Sequence, residues 1–325
     1  MRVRAVVIEQ LGGPEVLKVV ERPAPEPQPG QVLVQVAAAG VNFMDIYQRE
    51  GVGGYRPQQF PAPTGGEGAG TVIAVADDVT ELSAGDRVAW AGVPGSYAEQ
   101  VVIPADRAVP VPAGVDLKVA AAVMVQGMTA HYLSHSTYPV READVAVVHA
   151  AAGGVGLLLT QMVKRRGGVV VATTSGGEKA DLARGAGADH VVGYGVFRAT
   201  VADVTGGRGA HVVYDGVGKA TFDEGLASLR PRGMMVLYGA SSGQVPPLDP
   251  QRLNSGGSLF LTRPTLVHYI ADRDELLWRA RDLFGWLAKD ELHVRIGGEY
   301  PLAGAAKAQQ DLASRRTTGK LLLLP

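Results

Sequence analysis

The sequence predicts an α/β chain in which a mostly-β N-terminal region precedes a doubly wound parallel sheet. Three observations carry this. Before Leu117 the chain reads as short Val-rich runs punctuated by Pro and Gly clusters at 23–30 and 61–66, the texture of strands joined by turns. After Leu117, apolar runs alternate with helix-patterned segments, as parallel strands joined by crossover helices do. One of these runs leads through a glycine-rich turn straight into an apolar helix, VVHAAAGGVGLLL at 147–159.

The elements follow in order. Strands are predicted at 2–8, 32–37, 70–75 and 87–90, each a β-branched run between turn residues. The Ala- and Met-rich stretch 119–132 carries helical apolar spacing. A strand at 145–149, a helix at 156–166, a strand at 169–173 and a helix at 178–185 come next. Strands at 191–192 and 212–215, a helix at 222–229 and a strand at 233–239 continue the alternation, and a β-like run at 258–261 closes the sheet. Right-handed crossovers place the helices on both faces. Two helical stretches, 273–288 and 303–314, precede a terminal strand at 321–324 that begins after Lys320. Domains are expected at 1–123 and 124–265, with 266–325 packing back onto the first.

Composition excludes several function classes. With 31 Lys+Arg against 32 Asp+Glu the net charge is −1, so no global basic field draws nucleic acid or a membrane surface. The absence of Cys removes disulfides, thiolate nucleophiles and cysteine-based zinc sites. An apolar share of 46% with 19% charged residues is that of a folded soluble protein. The start, MRVRAVVIEQ, carries no apolar core of a secretory signal, and the uncharged run 145–163 is broken by Gly153, Gly154 and Gly156. A cytoplasmic protein is expected.

The chemistry-bearing motif is Ala151-x-Gly153-x-x-Gly156, a G-x-G-x-x-G turn with Ala at its first position. Small residues let the backbone approach a pyrophosphate, and the last Gly lets helix and strand pack closely. Amides and the positive dipole end of the helix then face the phosphates. Cofactor choice is read at the end of the next strand, where NAD enzymes place an acid for the ribose 2′-hydroxyl. Here the segment 171–177 is VATTSGG, with no acid until Glu178; Lys179 follows it, and Tyr194 lies after the next strand. Hydroxyls, open amides and a cation suit a 2′-phosphate, which selects NADPH.

Longer motifs resemble a known family. GGPEVL (12–17), AAGVNFMDIYQREG (38–51), PTGGEGAGTV (63–72), AGDRV (84–88), HAAAGGVG (149–156), VVYDGVG (212–218), GSLFLTRPTL (257–266) and TTGKLLLLP (317–325) occur in order along the whole chain. Together they are similar to the zinc-free quinone oxidoreductase, or zeta-crystallin-like, branch of the medium-chain dehydrogenase/reductase superfamily. The resemblance implies a GroES-like β domain joined to a Rossmann domain. Zinc alcohol dehydrogenases of the superfamily carry Cys where this chain has Asn42, and His-Glu where it has Gly66-Glu67, so the resemblance implies no catalytic zinc.

The family's cofactor contacts fall, motif by motif, on Asn42, Tyr47 and Thr129 at the nicotinamide side and on Gly153, Gly154 and Val155 at the pyrophosphate. Ser175, Lys179 and Tyr194 fall on the 2′-phosphate. Val217, Tyr238, Ser241, Phe260 and Thr262 fall around the nicotinamide and its ribose, and Arg315 lies near the C-terminus. Branch members carry Lys where this chain has Gln126, which removes a cation there.

Reduction of an electron-poor carbonyl or alkene needs alignment with the nicotinamide and exclusion of water. Asn42 is expected to donate to a carbonyl oxygen or to fix a ribose hydroxyl. Tyr47 and Tyr55 are expected to flank a flat substrate or donate a phenolic hydrogen bond, and Asp45 to orient its neighbours. The resemblance implies NADPH-dependent reduction of quinones, or of alkenals and enones at the double bond by the same site, and a homodimer formed near 258–261. RNA binding, known in zeta-crystallin-like proteins, finds no RNP motif here, and a lens-type structural role needs only solubility. His131 and His135, four residues apart, lack the rest of a zinc motif. His149 reads as a hydrogen-bonded core residue, and Lys164-Arg165-Arg166 as charges complementing a helix C-terminus.

Overall fold

The computed structural model describes residues 1–325, Gly53 by its backbone alone. The chain divides into two compact units, Met1–Val125 with Asp272–Pro325, and Gln126–Ala271. Among the described residues no helix is long and apolar enough to cross a membrane.

The first unit is built on a seven-stranded sheet and a three-stranded sheet. Its central strand, Gln31–Val41, is buried along most of its length, with Val32 and Val34 at 0% exposure. It pairs antiparallel with Glu67–Val75 and Gln100–Pro104, and with the C-terminal strand Lys320–Leu324. These strands cover a core that includes Trp90, Tyr97, Ile8 and Ile103. Trp90 is accommodated there because its indole N–H donates to Ser96 Oγ at 2.9 Å.

A helix, Phe43–Glu50, stands where the sequence texture predicts only strands and turns. Asn42 begins it in extended conformation, and the Asp45 carboxylate reaches back to accept the Asn42 backbone N–H at 2.8 Å. That bond satisfies one of the donors a helix start leaves over. Gly51 ends the helix with φ +69°, a left-handed conformation that favours glycine.

The second unit is a six-stranded sheet, all of it parallel. Across the sheet the strands run His190–Val192, Val169–Thr173, Val145–Val148, Ala210–Asp215, Leu229–Leu237 and Phe260–Thr262. In chain order this is third, second, first, fourth, fifth, sixth, the order of dinucleotide-binding sheets. The direction of winding reverses between Val145–Val148 and Ala210–Asp215, so the loops after these two strands flank the switch point where ligands bind such sheets. Strands such as Val145–Val148 are apolar throughout because both faces are covered.

Two differences from the sequence reading have local causes. The closing strand is Phe260–Thr262 and not 258–261, because Ser258 lies at φ +57° and cannot extend the strand. A further helix, Phe197–Thr205, packs where no helix is predicted, its Phe197 and Val201 sides buried in the sheet core.

Candidate active site

Gly153 begins the helix Gly154–Arg165 in extended conformation, so the first amides of the helix open from the turn after the first strand. A Cβ at Gly156 would lie 2.5 Å from the Ala150 carbonyl oxygen and 2.7 Å from Ala151 Cα. Those are backbone atoms that cannot swing aside, so glycine is required for the helix to seat against the strand end. A Cβ at Gly154 would fall on the Gln126 carboxamide; that side chain therefore lies over the turn. Gly156→Ala is expected to raise the NADPH dissociation constant on the order of tenfold, because a strained turn of this kind costs about 1–3 kcal/mol. Titration of NADPH fluorescence checks it, and unchanged affinity would show that the turn has slack.

The loop after the fourth strand is organised by Asp215, which is 0% exposed. One of its oxygens accepts the backbone N–H groups of Val217 (2.7 Å) and Gly218 (2.9 Å), and Thr221 Oγ1 donates to the carboxylate as well. This loop is tied to the next: the Ser241 N–H donates to the Gly216 carbonyl, and Ser242 donates to the Val217 carbonyl through both its backbone N–H and Oγ. Tyr238 lies over Gly216, where a Cβ would stand 2.8 Å from its ring carbon, and burial pushes its phenol well above the usual range. Val217, Tyr238 and Ser241 are thus brought together, while Phe260 sits on the outermost strand, 56% exposed, with Thr262 beyond it.

A cavity of about 570 Å³ opens after the second strand, walled by Thr174–Gly177 and Val191–Tyr194, with Asp181 and Arg184 on its third side. Ser175 and Tyr194 line it. Lys179 stands at the second position of the helix Glu178–Gly185, outside the lining. Arg184, which the sequence reading does not single out, is on the wall and pairs with Asp181 at 2.7 Å. No acid occupies the strand end itself.

In the first unit, the registers of three strands converge on Asn42. Val41 faces Leu321, and Ala39 faces Gly68, so Asn42, Lys320 and Glu67 meet at the ends of their strands. Lys320 and Glu67 are both 0% exposed and form a direct ion pair. Lys320 Nζ also donates to Asn42 Oδ1 at 2.8 Å, and Asn42 Nδ2 donates to Glu67 Oε1 at 2.7 Å. Glu67 Oε2 accepts the Val125 backbone N–H at 2.7 Å. Gly40 lies beneath, where a Cβ would stand 2.2 Å from Glu67 Oε1 and 2.5 Å from Lys320 Cε. Beside this group Asp45 accepts from Tyr97 Oη at 2.7 Å, and burial raises its carboxyl to about 6. Lys320 does not stand out in the sequence as a working residue, and Glu67 is marked there only as half of the Gly66-Glu67 pair that replaces His-Glu. The available signal is a glycine inside an apolar strand, which marks a close approach.

Tyr47 and Tyr55 lie against each other, ring centroids 5.9 Å apart and tilted by 40°. Two rings sandwiching a flat substrate need roughly 7 Å between them, so here they form one aromatic surface. Thr129 is buried in the helix Leu117–Tyr132, and Arg315 occupies a turn at φ +58°. His131 and His135 stack on each other, centroids 4.2 Å apart. His149 is fully buried, its Nδ1 bonded to Thr173 Oγ1 at 2.9 Å and its Nε2 without a partner.

The chain matches two sequence families: the alcohol dehydrogenase GroES-like domain over residues 28–113, and zinc-binding dehydrogenase over 154–275. It is 42% identical over 317 residues to a quinone oxidoreductase of Pseudomonas aeruginosa, covering 97% of each chain. It is 38% identical to a 2-haloacrylate reductase of a Burkholderia species, over 99% of each chain. The crystal structure of Escherichia coli quinone oxidoreductase complexed with NADPH superposes with a TM-score of 0.96 at 38% identity, over 99% of this chain and 100% of that one. With both halves matched and full-length identity of this order, the chain belongs to the quinone oxidoreductase branch of the medium-chain dehydrogenase/reductase superfamily.

Proposed function

We propose that the protein is an NADPH-dependent quinone oxidoreductase that works without zinc. The observation that carries the cofactor reading is the loop after the second strand, Thr174–Gly177, which presents hydroxyls and turn amides and no acid of its own to a cavity whose wall carries Arg184, paired with Asp181. The turn at Gly153–Gly156 fits a pyrophosphate, since Gly156 seats the helix against the strand end and the helix opens on amides with no side chain of their own at Gly153 and Gly154, the Gln126 carboxamide lying over the turn. Bound NADPH supplies the hydride. Gly153, Gly154 and Val155 hold the pyrophosphate on the helix amides. Ser175, Tyr194 and Lys179 hold the 2′-phosphate. Val217, Tyr238, Ser241, Phe260, Thr262 and Arg315 shape the remaining cofactor site, together with Thr129. Asn42 offers an N–H to an oxygen of the ligands, and Tyr47 with Tyr55 gives the flat acceptor an aromatic surface.

A second reading, reduction of a conjugated double bond in an alkenal or enone, draws support from the similarity to the 2-haloacrylate reductase. The proposal further includes a homodimer, joined at Phe260–Thr262. This strand pairs on one side with Leu229–Leu237 and ends the sheet with Phe260 exposed, as an edge open to pairing does. A chain without cysteine suits the reducing cytoplasm, where we place it.

The test is NADPH consumption followed by absorbance with phenanthrenequinone, beside an alkenal and beside NADH. Fast quinone-dependent loss of NADPH with slow NADH supports the reading; reaction with the alkenal alone replaces it by the second. Ser175→Asp sets a carboxylate where the 2′-phosphate binds. It is expected to raise the NADPH KM about 10–100-fold while sparing NADH, as losing a charged hydrogen bond of about 1.5–3 kcal/mol does. Equal use of both cofactors by the wild type would overturn the phosphate site and leave the fold untouched.

A further inference from the structure

The Asn42 carboxamide could in principle present either its oxygen or its nitrogen to a ligand. Its neighbours decide which. An ammonium faces Oδ1 at 2.8 Å and a carboxylate faces Nδ2 at 2.7 Å. Reversing the amide would set N–H against N–H and oxygen against oxygen, so the orientation is fixed by charge on both sides. Glu67 is itself fixed, because its second oxygen accepts the Val125 N–H. Lys320 and Glu67 are 0% exposed and Asn42 only 7%, so water does not compete for these bonds. Gly40 keeps the space they need. One Nδ2 hydrogen is spent on Glu67. The other remains.

From this we infer that Lys320 and Glu67 are positioning residues that hold Asn42 as a one-hydrogen donor toward a ligand oxygen. The inference rests on the proposed role of Asn42 and says how that role is built. The recipient chemistry is an uncharged oxygen acceptor: the carbonyl of the quinone, or a ribose hydroxyl of the cofactor. The ion pair is not needed as a charge at the reaction; it acts through the amide.

The paired variant Glu67→Gln/Lys320→Met separates this role from stability. Removing both charges together leaves neither partner as an unpaired ion, and the neighbouring Asp45 carboxyl loses one attracting and one repelling charge at once. The Val125 N–H still demands an acceptor, so the carbonyl of the introduced carboxamide turns to it and the nitrogen of that carboxamide faces Asn42. Asn42 must then present Oδ1 to that nitrogen, and its orientation reverses. The paired variant is expected to melt within a few degrees of the wild type while losing about tenfold or more in function. If the acceptor is the quinone, kcat/KM for phenanthrenequinone falls and the NADPH Kd, read by fluorescence, stays. If it is the ribose, the Kd rises. In an Asn42→Ala background the same paired substitution is expected to change neither quantity further, because its route is gone.

Wild-type kcat/KM and Kd in the paired variant overturn the inference. So does an equal loss with and without Asn42, which leaves the proposed role of Asn42 standing. If Asn42→Ala alone loses nothing, the role of Asn42 falls and takes the inference with it. Should the paired variant fail to fold, the side-chain ¹⁵N–¹H₂ signals of Asn42 in the wild type decide. One proton protected from exchange and the other shifted only by added ligand is expected; two equivalent, freely exchanging protons overturn it.

Discussion

Lys320→Met as a single substitution is expected to destabilise the unit that carries it by about 3–5 kcal/mol, the loss found when one partner of a buried ion pair is removed. Glu67 would keep two hydrogen bonds, from Asn42 and Val125, but its charge would lie uncompensated at 0% exposure. Methionine fills the aliphatic space of the lysine stem, so packing contributes little to the loss and charge nearly all of it. Thermal melting is expected to fall by roughly 6–20 °C, taking about 2–4 °C per kcal/mol for units of this size. The paired variant with Glu67→Gln is expected to regain most of this. A single variant melting within about 2 °C of the wild type would mean that the pair contributes little to stability.

The contrast between this cluster and the nucleotide turn explains what the sequence could disclose. Ala151, Gly153 and Gly156 lie within six residues of one another, and the physical demand on them is local: a backbone must approach a phosphate and a helix must meet a strand. Such a demand is written in adjacent letters. The α/β class and the parallel alternation are legible for the same reason, since strands of the second unit such as Val145–Val148 and Val169–Thr173 are short apolar runs in the sequence. Asn42, Glu67 and Lys320 meet only through the registers of Gln31–Val41 with two other strands, one of them at the far end of the chain. No short-range pattern encodes a register. What remains visible locally is Gly40 within an apolar strand and a lysine opening another, each of which reads by itself as ordinary.

The helices show the same division. Phe43–Glu50 is hidden by the strand-and-turn texture around it, although Asn42 followed by Asp45 is half of a capping signature. Phe197–Thr205 follows Gly193, Tyr194 and Gly195 and contains Phe197 and Val201 at buried positions. Its β-favouring residues conceal a helix that tertiary burial stabilises. Arg184 escapes a reading by sequence distance because a lysine stands closer to the strand end, whereas the helix turn carries position 184 round to the cavity wall.

Two buried titratable groups are expected to tilt stability in opposite directions between pH 4 and 6.5. His149 is held at about 4, mainly by burial, against its ordinary 6.5, with the Asp215 charge only partly offsetting this. It is therefore neutral in the fold while the unfolded chain takes up a proton below 6.5. Its stabilising contribution is complete above pH 6.5 and is lost as pH falls to about 4, a change of about 3 kcal/mol. Asp45 is raised to about 6 from 3.8, again by burial first, the Tyr97 and Asn42 hydrogen bonds and the Lys320 charge opposing it. Its contribution is complete below pH 3.8 and is lost as pH rises through 6, by a similar amount. Over the shared window the fold binds a proton at Asp45 and refuses one at His149, so the two slopes offset in the wild type. His149→Asn keeps a partner for Thr173 and removes the titration; its stability is expected to rise on acidification from pH 6 to 4, with Asp45 alone in play. Asp45→Asn is expected to fall over the same interval. The groups lie in different compact units, so calorimetry reads them as separate trends where the units melt apart, and the variants separate them where they melt together. Identical pH profiles for wild type and His149→Asn would show that the buried imidazole is reached by water and titrates near its ordinary value.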